Sequence, residues 1–192
     1  SRMTDTFQRE DEAGGATPTM NRPKMLNALD ESMAIGMCET LTAVAEDSDV
    51  RCVVIKGAGD HFMAGGDVKS FTGLIDATPE EIQQAFTLRI HDLHPIMFAM
   101  RRMPKPIVAK VRGAAAGAGV SLAAASDLII AAEDAFFTLA YCHIGTTPDG
   151  SSSFHLPRAI GIKRTLEMTL LGDRYGAQAM ADMGLVNFVV PS

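Results

Sequence analysis

An α/β fold is the architecture that this sequence predicts. Short β-like runs alternate with longer runs of helical periodicity, a pattern typical of sheets covered by helices. The 192 residues are 47% hydrophobic, which suffices for one core, so residues 1–192 are interpreted as a single domain. Two glycine-rich turns, 61–69 and 113–122, each follow a β-like run.

The predicted strands are short apolar runs bounded by glycine, proline or charged residues. The run Arg-Cys-Val-Val-Ile-Lys at 51–56, which ends at Gly57, is typical of a buried strand. Pro18 disfavours the first strand because proline cannot donate a ladder hydrogen bond. In chain order, the predicted strands are 16–20, 51–56, 107–111, 127–131, 135–139 and 186–190.

The predicted helices follow from apolar periodicity and from residues that cap helix ends. Asp30 is a suitable N-cap for the first helix. Thr78, Pro79 and Glu81 combine a capping box with a proline in the first turn, which predicts the start of the second helix. Pro95 should kink or split that helix. In chain order, the predicted helices are 31–45, 79–103, 117–125, 157–171 and 177–183.

Charge and composition exclude several classes of function. A net charge of −6 argues against nucleic-acid binding, and no apolar stretch is long enough to cross a bilayer. Residues 1–15 are polar and acidic and lack the apolar core of a signal peptide. Cys38, Cys52 and Cys142 lack metal-ligand spacing and are interpreted as reduced thiols, so we expect a cytoplasmic protein without a bound metal.

The glycine-rich turns leave backbone N–H groups unpaired, and two such groups aimed at one point can hold a developing oxyanion. Taken alone, the second turn also fits close packing of a helix on a strand. Gly117 and Gly119 lack the third glycine of a dinucleotide fingerprint, and no Lys-Ser or Lys-Thr pair follows as in a phosphate loop. Ser121 resembles the nucleophile of a loosened elbow but lies well beyond the end of the preceding strand.

The setting of these turns resembles the crotonase, or enoyl-CoA hydratase/isomerase, superfamily, closest in motif to its enoyl-CoA isomerase branch. The resemblance runs from residue 7 to residue 191, with the motifs in family order and at family spacing. The matching segments are Asn-Arg-Pro-Lys-Met-Leu-Asn-Ala-Leu at 21–29, Phe-Met-Ala-Gly-Gly-Asp-Val-Lys at 62–69, Pro-Lys-Pro-Ile-Val-Ala-Lys-Val-Arg-Gly at 104–113, Gly-Ala-Gly-Val-Ser-Leu at 117–122, Ser-Asp at 126–127, and Gly172 with the tail 177–190.

The resemblance implies a crotonase/ClpP-like spiral of ββα units that binds acyl-CoA thioesters. It implies a homotrimer or a dimer of trimers, with the coenzyme A thioester as substrate and no metal or redox cofactor. Relatives continue in helices beyond the position of Ser192, so we expect the C-terminal helical part of the fold to be missing from this chain.

By resemblance, the backbone N–H groups of Gly66 and Ala118 hold the thioester oxygen, and small side chains let the carbonyl approach them. Lys24 and Lys69 resemble positions near the nucleotide and pantetheine, although each also fits a solvated surface lysine. The implied substrate-contact residues are Lys24, Leu26, Ala64, Gly65, Gly66, Asp67, Val68, Lys69, Gly117, Ala118, Tyr141 and Pro148.

The acid or base decides which reaction such an oxyanion hole serves. Where family hydratases carry two glutamates, this chain has Ser121 and Tyr141, which are poor bases near neutral pH, so hydration is disfavoured. Asp149, in Pro-Asp-Gly-Ser-Ser, resembles the proton-shuttling acid of enoyl-CoA isomerases and of ring-epoxide isomerases acting on phenylacetyl-CoA derivatives. An apolar pocket would raise the pKa of such a carboxyl. A turn residue that caps the following segment is the structural alternative for Asp149.

Three other functions stay open on the sequence alone. A related 4-chlorobenzoyl-CoA dehalogenase has a nucleophilic aspartate at the position of Asp149 and a helix histidine to which His91 or His94 corresponds, although both histidines also fit a packing role. The absence of the hydratase glutamates also fits a non-catalytic acyl-CoA binder. A serine hydrolase using Ser121 would need an adjacent histidine, and none can be assigned from the sequence.

Overall fold

The computed structural model describes residues 5–67 and 73–192. Within these residues, nine strands and five α-helices form a mixed α/β fold, which confirms the predicted class. The strands are β1 (Phe7–Glu12), β2 (Gly15–Met20), β3 (Cys52–Gly57), β4 (Ile107–Val111), β5 (Ala114–Ala116), β6 (Leu128–Ala132), β7 (Phe136–Thr138), β8 (Tyr175–Gly176) and β9 (Phe188–Val190). The helices are α1 (Glu31–Glu46), α2 (Pro79–Arg102), α3 (Ala118–Ala124), α4 (Ser152–Leu171) and α5 (Ala177–Met183).

The larger sheet has six strands in the order β1-β2-β3-β4-β6-β9. In this sheet β2, β3, β4, β6 and β9 pair in parallel, and β1 adds an antiparallel edge in which Phe7 lies opposite Met20. β1 was not predicted, because its sequence Phe-Gln-Arg-Glu-Asp-Glu buries Phe7 alone and shows no apolar alternation. Pairing with β2, rather than local preference, makes it a strand.

The smaller sheet stacks one short strand from each repeat of the chain. The chain passes from β4 into β5 and from β6 into β7, so successive repeats each give one strand to each sheet, which is the expected spiral. Met63 forms an isolated parallel bridge to Ala115, and Ala115 pairs in parallel with Phe137. Three segments therefore end in register at one edge of this sheet.

The helix boundaries follow their caps. Asp30 caps α1, and Thr78 caps α2 with both arms of the capping box formed. Helix α2 continues through Pro95, so the helix is not split there, and the alternative of a kink stays a prediction. Helix α4 begins at Ser152, before the predicted 157, and Gly161 interrupts it with a φ of 78° and a ψ of 160°. No helix in the described part of the chain combines the length and apolar character needed to cross a bilayer.

Asn27 ties together the loop that precedes α1 and the loop that follows β3. Its side chain is fully buried, and its φ of 55° is left-handed, a conformation that asparagine tolerates better than most residues. The amide donates to the carbonyls of Ala58 (2.9 Å) and His61 (2.7 Å) and accepts from the backbone N–H of Arg22 (2.9 Å). One side chain thus satisfies three backbone groups.

We expect Asn27→Ala to lower the free energy of unfolding by about 3 kcal/mol, because it leaves buried backbone groups without partners. Urea unfolding followed by circular dichroism measures the loss. Asn21→Ala is the matched control, since that amide makes an exposed hydrogen bond to the carbonyl of Asp5 (3.0 Å) and should cost less than about 1 kcal/mol. Equal losses in the two variants would contradict this role of Asn27.

Candidate active site

The two glycine-rich turns meet at the carboxyl edge of the smaller sheet. Met63 is held on β5 by backbone hydrogen bonds of 3.0 and 2.8 Å on either side of Ala115. Just beyond this bridge, a Cβ atom on Gly117 would lie 3.7 Å from the Cα of Gly65. The turns predicted to converge therefore touch through their glycines.

The amide of Gly66 points away from the strand-like segment that holds it. Leu29 donates to the carbonyl of Gly65 (2.8 Å), and Asp67 donates to the carbonyl of Leu29 (3.0 Å), which completes a parallel bridge. In this geometry the N–H of Gly66 is directed to the opposite side from Leu29. Gly66 is exposed, and no described atom lies within 4 Å of the position that a Cβ would take.

The amide of Ala118 is the first of helix α3, and the N–H groups of a first helical turn have no intrahelical acceptor. The turn before it is made by Gly117, whose φ of 50° and ψ of −114° suit glycine. Gly117 in turn donates to the carbonyl of Thr138 (2.9 Å), which fixes the turn against the end of β7. The N–H of Ala118 is therefore offered at the same edge as the Gly65–Gly66 turn.

Arg22 braces the loop that carries Gly66. Its guanidinium donates to the carbonyl of Ala28 (2.5 Å) and to Asp67 (3.0 Å), and it forms an ion pair with Asp30 (3.2 Å). Asp67 follows Gly66 directly, and Asp30 caps α1. The arginine therefore fastens the first glycine turn to the start of a helix.

Asp149 is a half-buried carboxyl group just after the half-buried Pro148. The Tyr141 hydroxyl donates to its Oδ1 at 2.6 Å. Burial raises the pKa of Asp149 above its ordinary value, while the hydrogen bond from Tyr141 opposes that rise. Burial also raises the pKa of Tyr141, and the negative charge of Asp149 adds to that effect. The pair therefore combines a carboxyl suited to hold a proton with a permanent hydrogen-bond donor.

Ser121 fixes the backbone of the loop that carries Asp149. Its fully buried hydroxyl donates to the backbone carbonyl of Asp149 (3.0 Å), to which Ser152 also donates (2.9 Å). A Cβ on Gly150, whose φ is 57°, would lie 2.8 Å from the Cβ of Ser121, so the loop needs glycine there. Among the described contacts none joins Ser121 to a histidine, which leaves the serine-hydrolase interpretation without its base.

His94 lies on helix α2 and, like His91, is exposed. Its charge lowers the pKa of Asp149, which places the imidazole within electrostatic reach of the carboxyl. His91, one helical turn earlier, is exposed, and no described contact connects it to Asp149. Of the two helix histidines that the sequence offered, the structure brings only His94 towards the acid in the part of the chain that it describes.

Lys24, Leu26 and Ala64 are further predicted substrate-contact residues, and they lie close to the first glycine turn. Lys24 is exposed in the 3-10 helix Pro23–Met25, and Leu26, which caps the end of that helix, is also exposed. Ala64 donates to the carbonyl of Leu26 at 3.0 Å, which links this surface to the Gly66 loop. Val68 and Lys69 lie outside the described residues.

A groove of about 450 Å³ between α1 and α2 is separate from these residues. It is lined by apolar and polar side chains that include Cys38, Leu41, Phe98 and Arg102, and it contains none of the predicted site residues. Within residues 5–67 and 73–192, no group of three or more histidine, cysteine or acidic side chains is arranged to hold a metal ion.

Sequence reasoning missed the bracing roles of Arg22 and Asn27. Both belong to the 21–29 segment, which served only to mark the family resemblance. The sequence feature that could have indicated these roles is an arginine and an asparagine on either side of Pro23, directly before a capped helix. Their partners lie up to 45 residues away in the chain, so the pairing itself was beyond local patterns.

This chain belongs to the enoyl-CoA hydratase/isomerase family, whose sequence profile matches residues 10–192. It is 34% identical over 179 residues to a 1,2-epoxyphenylacetyl-CoA isomerase of Escherichia coli K12, covering 93% of this chain and 67% of the relative. It is 36% identical over 188 residues to a probable enoyl-CoA hydratase of Rhodobacter capsulatus, covering 97% of this chain and 69% of that relative.

The fold is that of the same family. The crystal structure of a putative enoyl-CoA hydratase/isomerase from Mycobacterium abscessus superposes with a TM-score of 0.90 at 32% identity, covering 97% of this chain and 71% of that one. The chain thus spans about two thirds of the length of the curated relatives described above (67% and 69%).

We expect Arg22→Ala to speed hydrogen–deuterium exchange of the 62–67 amides by about tenfold, because the loop loses its contacts to Asp67 and Asp30. Mass spectrometry of peptic fragments measures the change. Arg9→Ala is the matched control, since Arg9 also joins two aspartates, Asp11 and Asp47, elsewhere. Faster exchange of the 62–67 segment in both variants would show global destabilisation instead.

We expect Asp149→Asn to raise the free energy of unfolding at neutral pH. Because burial raises the pKa of Asp149, its contribution to stability is complete below the unfolded pKa and is lost as the pH rises through the folded pKa. Asparagine cannot ionise, so the gain should vanish at acidic pH. Urea titrations across pH measure this, with exposed Asp134→Asn as control. A gain independent of pH would contradict the assignment.

Proposed function

We propose that this chain is an acyl-CoA isomerase in which Asp149 moves a proton and the N–H groups of Gly66 and Ala118 stabilise the enolate. One observation carries the proposal. A carboxyl group whose pKa is raised by burial is bound to Tyr141, which packs on the turn that precedes Ala118. Base and oxyanion donors are therefore neighbours.

The proposed reaction balances with a single carboxylate. Asp149 takes a proton from C2 of a 3-enoyl thioester, and the C–H electron pair moves into the C1–C2 bond and onto the thioester oxygen. Protonated Asp149 returns that proton to C4, and the double bond moves from C3–C4 to C2–C3. A raised pKa suits both steps, since the carboxylate is a stronger base and the acid holds its proton at higher pH.

The oxyanion donors supply the electrostatic part of the catalysis. Charge develops on the thioester oxygen only as the proton leaves, so fixed N–H groups favour the transition state over the bound substrate. Loss of one such donor typically costs about 3 kcal/mol of barrier. Gly117 supports this role because its φ of 50° favours glycine, and a Cβ there would already be in van der Waals contact with Gly65 and with the Tyr141 ring.

Ser121 and Tyr141 disfavour hydration as the reaction of this site. A hydratase positions water with two carboxylates, and those places hold Ser121 and Tyr141. The Ser121 hydroxyl is already bound to the Asp149 carbonyl, and the pKa of Tyr141 is raised. Neither side chain is free to activate water.

The substrate and assembly are part of the proposal. We propose a coenzyme A thioester as substrate, with the nucleotide or pantetheine near exposed Lys24 and Leu26. No metal or redox cofactor enters the reaction. A cytoplasmic homotrimer, or a dimer of trimers, stays a prediction. Exposed Leu128, Phe188 and Val190, on β6 and β9 of the larger sheet, support a protein contact there.

A dehalogenase-like hydrolase is the second candidate, and His94 favours it. In that reaction Asp149 attacks an aryl carbon of a 4-halobenzoyl thioester, halide leaves, and a water activated by His94 then hydrolyses the aryl ester. The charge of His94 acts on the pKa of Asp149, which supports a role for this histidine rather than for His91. Tyr141 stands where the dehalogenase has tryptophan, which counts against this candidate.

We expect wild-type protein to convert 3-enoyl-CoA or 1,2-epoxyphenylacetyl-CoA, and Asp149→Asn to lower kcat by about a thousandfold or more, because the proton carrier is gone. Chromatography of a panel that also contains 2-enoyl-CoA and 4-chlorobenzoyl-CoA identifies the products. Asp134→Asn, on the surface, should keep full turnover. Full 3-enoyl turnover by Asp149→Asn would overturn the isomerase, and chloride release from the aryl substrate would establish the second candidate.

The same preparation separates an enzyme from a non-catalytic binder. In deuterium oxide, an enzyme with this site exchanges the C2 protons of a bound saturated acyl-CoA, whereas a binder does not. Exchange that disappears in Asp149→Asn would support the assigned base directly.

A further inference from the structure

Tyr141 stands between the oxyanion turn and the acid. It begins the 3-10 helix Tyr141–Ile144, directly after Ala140, whose left-handed φ of 52° turns the chain sharply at the end of β7. The ring is buried, and its Cζ and hydroxyl lie 3.7 Å from the position of a Cβ on Gly117. The hydroxyl reaches Oδ1 of Asp149 at 2.6 Å. One rigid side chain therefore touches both parts of the site.

Building on the proposed function, we propose that Tyr141 is the positioning residue of this site. Its ring sets the spacing between Asp149 and the Gly117 turn, and its hydroxyl engages Oδ1, which leaves Oδ2 as the oxygen that takes and returns the proton. Tyr141 occupies the position of a catalytic glutamate in hydratases. In this chain the residue at that position instead supports another carboxylate, that of Asp149.

Tyr141 acts through Asp149 and does not exchange protons itself. The phenol hydroxyl has one hydrogen, and here that hydrogen lies in the bond to Oδ1. The O···O distance of 2.6 Å falls in the range of charge-assisted hydrogen bonds. Burial and the neighbouring negative charge raise the pKa of Tyr141 well above its usual value, so the phenol stays protonated while Asp149 cycles.

The hydrogen bond also sets how basic Asp149 becomes. Burial raises the pKa of the carboxyl, and three groups oppose it: the Tyr141 hydroxyl from the 3-10 helix, the backbone of Asp149 itself, and the charge of His94 from α2. Of the two side chains, Tyr141 has the larger effect. Removal of its hydroxyl alone should therefore raise the pKa of Asp149 further and let the carboxyl rotate.

Tyr141→Phe tests this, because it keeps the ring and deletes the hydroxyl. Carbon-13 NMR of carboxyl-labelled aspartate follows the titration of Asp149 in the free protein, and its signal is the one missing from Asp149→Asn. We expect the midpoint to rise by about one pH unit. With 3-enoyl-CoA, kcat should fall by about tenfold with KM changed less than about twofold.

Tyr175→Phe is the matched control, because the chain has two tyrosines and the hydroxyl of Tyr175 bonds to Glu167 (3.1 Å) instead. It should leave both the Asp149 midpoint and kcat unchanged. In the Tyr175→Phe background, 3-fluorotyrosine labels position 141 alone. Its more acidic phenol donates more strongly, so the Asp149 midpoint should move to lower pH, a test that does not depend on the folding of Tyr141→Phe.

Failure of this inference is distinguishable from failure of the proposed function. An Asp149 midpoint that is unchanged by both Tyr141→Phe and the fluorinated phenol overturns the role of Tyr141, even if Asp149→Asn is inactive. A fully active Asp149→Asn overturns the isomerase itself, while the NMR titration still reports on the contact between the two side chains. A rise in the midpoint with a selective fall in kcat supports both.

Discussion

The parallel register of Met63, Ala115 and Phe137 in the smaller sheet is the constraint on which the site depends. Because the three segments run in the same direction, their carboxyl ends meet at one edge, as ligand sites do in other parallel sheets. The residues that leave this edge are the Gly65–Gly66 turn, the Gly117–Ala118 turn and Tyr141. A shift of one residue in either pairing would move these segments apart.

At this edge the charge of the Asp149 carboxyl is controlled by its burial and by hydrogen bonds from neighbouring hydroxyl groups. Asp149 is kept in a setting that favours its neutral form, while Tyr141 and Ser121 fix its carboxyl and its backbone. Such a setting lowers stability at neutral pH, and in the proposed function it gives the carboxyl its basicity. The ion pair between Arg22 and Asp67 stabilises the opposite side, where the Gly66 loop is anchored.

The sequence predicted features that depend on neighbouring residues, such as helix caps and turns. It did not predict features that depend on contacts between distant segments. The cap residues predicted the starts of α1 and α2, and the two glycine turns that the sequence singled out lie next to each other. β1, β5 and β8 were missed, because β1 lacks apolar alternation, β5 lies inside the alanine- and glycine-rich second turn, and β8 has two residues. The bond between Tyr141 and Asp149 depends on two loops meeting, which no periodicity reports.

The infrared stretch of a bound thioester carbonyl tests the central claim most directly, because two convergent N–H groups must polarise that bond. Carbonyl-labelled hexanoyl-CoA bound to Asp149→Asn should show a lower stretching frequency than in water, with proton transfer removed as a complication. Adding Gly66→Pro deletes one donor and should reverse part of the shift, whereas Gly66→Ala keeps the N–H in open space and should retain it. A bound carbonyl with the frequency seen in water would contradict the convergence of the two amides on the substrate.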